Sequence, residues 1–195
     1  MFAGENKRNR IFLFWQLLLV FILFALMLPP HARGQESGER MIQAARTGQA
    51  AVIKDLLSTG VSVEATDNLG NSALTCAVQS EQVDCVKVLL ENGANVDRKS
   101  YNDYPPLVLS VVKGQKDIAR MLIENGADVN ASDPYGWTGL MNAVYMGDVE
   151  MVRMLLERGT DVNHKNYLGR TALFISINTG KPEITQLLKA AGAVE

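Results

Sequence analysis

The chain has 195 residues, 47% of them hydrophobic, and a formal net charge of -2, which suits one globular domain with a small extra segment. From Gln35 onward there are 15 Lys plus Arg against 20 Asp plus Glu, about -5, and no basic block, which argues against nucleic acid as a partner. Two cysteines, Cys76 and Cys85, are too few for a disulfide framework.

In chain order, residues 1–10 form a basic flank through Lys7, Arg8 and Arg10. An apolar run then opens at Ile11 and closes at Leu28, 18 residues with no charge and one amide, Gln16. Pro29 and Pro30 end it. This order describes an export signal. The run is longer than the roughly 7–15 residues of an ordinary signal core. At about 1.5 Å per residue it reaches roughly 27 Å, close to the about 30 Å of a bilayer core. A loose small-x-small site, Ala32-Arg33-Gly34, precedes Gln35. Two readings stand, a cleaved signal peptide and an uncleaved transmembrane anchor. Both leave the basic flank in the cytoplasm and put the rest outside it, periplasmic, secreted or membrane-anchored. Residues 29–38 read as a linker.

A repeat starts near Glu39. Leu74, Leu107, Leu140 and Leu173 lie 33 residues apart, as do Val63, Val96, Val129 and Val162, and Gly93, Gly126, Gly159 and Gly192. One period kept by three separate markers means stacked supersecondary units. They fall at about 39–66, 67–99, 100–132, 133–165 and 166–195. The first lacks a preceding hairpin and reads as an N-terminal cap. GNSALTCAVQ, GWTGLMNAVY and GRTALFISIN each open with Gly and carry Ser or Thr two residues on, a side chain that can cap a helix start. Leu74, Ala77 and Val78, or their equivalents, make one face of the short helix that follows. An inter-helix turn holds Gly48, Gly114, Gly147 and Gly180; Glu81 stands there in the second unit, at a cost of order 1 kcal/mol if the position needs φ > 0. A second apolar helix, as in VDCVKVLLENGA and VEMVRMLLERGT, ends at glycine. At the third hairpin tip Asp103 replaces glycine, a residue that tolerates the left-handed region. The fifth unit puts Lys189 where others have Leu90, Ile123 and Leu156, the polar substitution a terminal cap needs. The expectation is all-α, with five helix pairs.

These units resemble the ankyrin repeat, whose signature is D-x-x-G-x-T-P-L-H-x-A-A-x-x-G, an apolar helix and L-L-x-x-G-A-x-V-N. LLENGANVD, LIENGADVN and LLERGTDVN match its second half. The first half is looser. The signature proline appears only as Pro106, and the histidine site holds Thr75, Val108, Met141 and Phe174. In that family the histidine bonds between repeats, so apolar packing is expected to replace those bonds. The resemblance covers residues 39–195. It implies a solenoid of about five helix-turn-helix units with short hairpin tips, here preceded by the apolar export or transmembrane helix read from Ile11 to Leu28. It also implies a non-enzymatic module that binds proteins.

No catalytic constellation is visible. The histidines are His31, near the export segment, and His164, in a hairpin; a two-His metal site or a His-based triad cannot be built from His164 alone. No cofactor or metal is expected. Asp67 and Asp133 recur at unit starts and read as acceptors of turn hydrogen bonds. Cys85 aligns with Ile118 and Ile184 and reads as a small buried hydrophobe. Cys76 aligns with Leu109, Asn142 and Ile175, a position that faces outward in the resembled family, so the thiols would point apart. Export leaves a disulfide between them open.

The aromatic residues cluster at variable positions of the repeat. Asn71, Tyr104, Trp137 and Arg170 are equivalent; so are Gln79, Val112, Tyr145 and Asn178, and Ser80, Lys113, Met146 and Thr179. Positions that change character this much read as surface. In the resembled family they are the hairpin tips and the inner face of the first helix, the concave surface that meets partners. The expected partner-binding residues are Tyr101, Tyr104, Tyr135, Trp137, Tyr145, Met146 and Tyr167. Tyr and Trp dominate interface energetics. The groove is expected to centre on the third and fourth units, with Tyr104, Trp137, Tyr145 and Met146 as anchors. The alternative is that the rings pack on neighbouring hairpins. A monomer is expected, with a protein partner whose identity the sequence does not give and with membrane contact only through the run from Ile11 to Leu28 if uncleaved. Two further roles fit: an accessory or regulatory subunit that docks on and protects one exported enzyme, and a secreted effector.

Overall fold

The computed structural model describes residues 30–194; the apolar run and its basic flank lie outside the described residues. Among the described residues there are ten helices, and no strand beyond two isolated bridges, Thr66 to Ser72 and Ser132 to Thr138. None of these helices is long and apolar enough to cross a membrane. Helix α1 (Pro30–Arg46) starts on proline, which suits a first helical position whose N–H has no intrahelical partner in any case. It runs through residues 30–38, which the sequence suggested as linker. The chain divides after Ser37, and the repeats all lie in the second unit, which begins at Gly38.

The remaining helices are α2 (Ala50–Ser58), α3 (Ala73–Gln79), α4 (Val83–Glu91), α5 (Pro106–Val112), α6 (Lys116–Glu124), α7 (Gly139–Met146), α8 (Val149–Leu156), α9 (Ala172–Asn178) and α10 (Pro182–Ala190). Each hairpin pair packs internally, α3 on α4 through to α9 on α10. First helices stack in one row, α3 on α5 on α7 on α9. Second helices stack in another, α2 on α4 on α6 and α8 on α10. The first-helix starts follow from their sequence. Ser72, Thr138 and Thr171 accept from the backbone N–H three residues on, each cap worth about 1 kcal/mol. In the third unit Pro105 and Pro106 set the helix start instead, by fixing φ.

The core has the period of the sequence. Leu74, Leu107, Leu140 and Leu173 are buried between first helices, and Leu89, Leu122, Leu155 and Leu188 between second helices. A hydrogen-bond ladder ties the hairpins with the same period. Glu64 Oε1 accepts from the Asn95 N–H at 2.7 Å, Asp97 Oδ1 from Asp128 at 2.9 Å, Asn130 Oδ1 from Asp161 at 2.7 Å, and Asn163 Oδ1 from Val194 at 2.9 Å. The closing Asp or Asn of ANVD, ADVN and TDVN thus reaches the backbone one unit further on. Each bond contributes about 1 kcal/mol net.

Four expectations from the sequence are decided by this fold. Glu81 and Asp103 do sit at positive φ, 59° and 60°. At the signature histidine site one hydroxyl bond is made, and it stays within the second unit: the Thr75 hydroxyl donates to the Arg98 carbonyl at 3.2 Å. Val108 and Met141 are buried there and pack instead. Cys76 does not face outward; it is fully buried, as is α3 from Ala73 to Val78. Cys85 is also buried, its thiol directed at the Ala44 carbonyl, and both thiols are free.

Candidate protein-binding groove

The tips are built alike. Asp133 Oδ1 accepts from the N–H groups of Tyr135 and Trp137 at 2.8 and 2.9 Å. Asp67 does the same for Leu69 and Asn71, and Asn166 for Leu168 and Arg170. A short polar side chain that caps its own turn is what this Asx geometry requires. Successive tips then bond to one another. Asn71 Oδ1 accepts from the Tyr101 N–H at 2.8 Å, and the Tyr135 carbonyl from the Tyr167 N–H at 3.3 Å. His164 Nε2 contacts the Gly136 carbonyl at 3.1 Å. Gly136 has to be glycine: φ is +77°, and an added Cβ would lie 3.0 Å from the Tyr167 nitrogen.

This stacking corrects one expectation. The position shared by Asn71, Tyr104, Trp137 and Arg170 is not uniformly surface. Asn71 is buried, Tyr104 and Trp137 are half-buried, and only Arg170 is exposed. Asn71 is buried because its amide bridges Asp67 and the next tip.

A groove of about 400 Å³ opens between the fourth and fifth units. Tyr135, Trp137 and Arg170 reach it from the tips, Asn142 and Tyr145 from α7, and Phe174, Ile175 and Asn178 from α9. Trp137 and Tyr145 meet edge to face, with centroids 5.8 Å apart and planes at 90°. Arg170 lies over the Phe174 ring at 5.6 Å, a cation–π contact that holds the guanidinium. Trp137 packs its inner edge on the core, whereas Tyr145 is 59% exposed.

Of the seven residues singled out by sequence, Tyr135, Trp137 and Tyr145 share this groove. The other four lie elsewhere. Tyr101 and Tyr167 are exposed on tips, and Met146 is half exposed at the end of α7. Tyr104 sits beside the groove: burial, then the Asp133 charge and Tyr135, push its phenol up. The groove thus lies one unit beyond the expected centre. Arg170, Phe174 and Asn178 went unnoticed as walls. Arg170 and Asn178 had a signal, since they align with Trp137 and Tyr145. Phe174 had none, because its register position is buried in the units before it. A second cavity, of about 450 Å³, adjoins on the other side of Phe174, with Lys165, Ile177 and Asn178 in its wall.

Residues 41–133 and 132–194 match the family model for ankyrin repeats in three copies. The chain belongs to the ankyrin-repeat family. Ankyrin repeats generally mediate protein–protein interaction, and the family is typically non-enzymatic. Among curated proteins none matches this ankyrin-repeat chain in sequence. Among its described residues no group of three or more His, Cys, Asp and Glu is placed to hold a metal ion.

Proposed function

We propose that this ankyrin-repeat protein is a non-enzymatic binding module, working outside the cytoplasm, that holds a protein partner on its first helices and hairpin tips. The observation that carries the reading is the groove of Trp137, Tyr145, Arg170 and Phe174. Tyr145, Phe174 and Arg170 are open to solvent there and Trp137 is half-buried, and the four meet in two pairs, Trp137 with Tyr145 and Arg170 with Phe174. Rigid aromatics lose little entropy on binding and make interface hot spots. A repeat stack presents an extended surface for this purpose.

Export is the second part of the reading and rests on the run from Ile11 to Leu28 behind its basic flank. Fusing alkaline phosphatase after Glu195 tests it, since the reporter folds only where its disulfides form. Activity supports export, and an inactive but stable fusion contradicts it. Binding is tested by capture from exported and membrane fractions with the wild type and with Trp137→Ala/Tyr145→Ala, both checked for helicity. A partner held by the first and lost by the second supports the groove.

A further inference from the structure

The groove's charges are unequally committed. Asp133 is buried in the groove wall, and its Oδ1 takes two backbone N–H groups of its own turn. Arg170 is exposed, and none of the five ion pairs among the described residues includes it. It is therefore the one exposed charged residue of the wall. Its guanidinium lies over the Phe174 ring at 5.6 Å, and the N–H edge of a guanidinium can form the two parallel bonds a carboxylate accepts.

The remaining walls ask for something else. Trp137, Tyr145, Phe174 and Ile175 form an apolar slot beside Arg170. Asn142 and Asn178 each donate through Nδ2 to their own helix, to the Thr138 and Phe174 carbonyls at 3.0 and 2.8 Å. That leaves each amide oxygen to accept from a backbone N–H. Apolar slot, carboxylate fork and spaced acceptors occur together in the complement of an extended peptide.

Building on the groove as binding site, we infer that its occupant is a peptide segment of the partner carrying an apolar side chain next to a carboxylate, with Arg170 as the carboxylate's receptor. The domain's net charge of about -5 beyond residue 34 and the Asp133 carboxylate in the wall oppose such a segment, and the bond to Arg170 has to outweigh them. At physiological salt, fields between exposed charges fade over about 8 Å, and the contact with Arg170 is direct.

The test is selection of random 12-residue peptides displayed on phage against the full chain in detergent. In parallel run Arg170→Glu and Trp137→Ala, each shown to be folded by circular dichroism. Wild type is expected to enrich Asp or Glu beside Leu, Ile, Phe or Trp. A selected peptide resynthesised with Asn or Gln in place of the acid is expected to bind at least tenfold more weakly. Arg170→Glu is expected to switch the enrichment to Lys and Arg. Selection of peptides without an acidic preference, selection of nothing above background, or the same acidic peptides on Arg170→Glu would overturn the inference. Trp137→Ala separates the two levels of the reading. If wild-type peptides lack acid but are lost on Trp137→Ala, the chemistry is wrong and the groove stands. If Trp137→Ala keeps the wild-type peptides, the groove itself is wrong.

Discussion

Ile177 is 50% exposed at the register position where Val144, one unit earlier, is fully buried. Val78 and Val111 are buried there too. The same contrast separates Phe174, 46% exposed, from the buried Met141. A first helix in this stack buries that stripe against the first helix of the next unit, and α9 has no such neighbour among the described residues. Polar substitution is confined to α10, where Lys189 is exposed and Thr185 bonds Ser176 at 2.8 Å. Val144→Lys should therefore cost about 4 kcal/mol or more, because it buries an unpaired ammonium. Ile177→Lys should stay within about 1 kcal/mol. Urea unfolding of both variants checks this; equal losses would mean that α9 is covered as α7 is.

Glu81 offers a stabilising change. Its side chain is exposed and its φ is 59°, a region where a non-glycine residue carries about 1–3 kcal/mol of strain. Glycine gives back part of that gain through a freer unfolded chain. Glu81→Gly should raise stability by about 1 kcal/mol. Asp103→Gly, at φ 60°, should raise it less, because Asp tolerates that region better. Thermal melts that rank the two the other way would contradict the strain argument.

Asp67 sets an acid limit. Burial pushes its carboxyl up, but hydrogen bonds from the Asn71 side chain and N–H, the Leu69 N–H and the Arg46 charge outweigh that and hold it below the usual range. The folded group thus releases its proton more readily than the unfolded one, near 3.9. Its stabilisation is complete above that value and drains as pH falls through the lower folded one. Asp67→Asn should remove this part of the acid transition while lowering stability at pH 7. A variant with the wild-type slope below about pH 4 would contradict it.

Both thiols should be silent in the folded protein. Burial pushes Cys76 and Cys85 up, and only the thiolate attacks. Ellman's reagent should label neither in native buffer and both in denaturant. Fast native labelling, or absence of label in denaturant from an oxidised pair, would contradict the packing.

The difference between what was and was not readable in the sequence is one of range. The Ser and Thr caps and the Asp turn acceptors are set within one unit, and the 33-residue period and the left-handed Glu81 show when the units are aligned. Cys76 is buried by its neighbours in the stack, which its own stretch does not name. Asn71 is buried by a tip 30 residues later. Phe174 becomes a groove wall only because Arg170 stacks on it and Trp137 and Tyr145 stand opposite. Those facts depend on which side chains of adjacent units meet, and the period fixes the stacking without fixing the meeting.

The most direct test of the binding role is photo-crosslinking in the native membrane and exported fractions. Benzoylphenylalanine replaces Tyr145 in the groove or, as a control, Arg120, exposed on the second helix of the third unit. Binding in the groove should give one discrete protein adduct from position 145, none from position 120, and loss of the adduct when Trp137→Ala is added. An adduct from position 120 alone, or one from 145 indifferent to Trp137, would place the partner on another face of the stack.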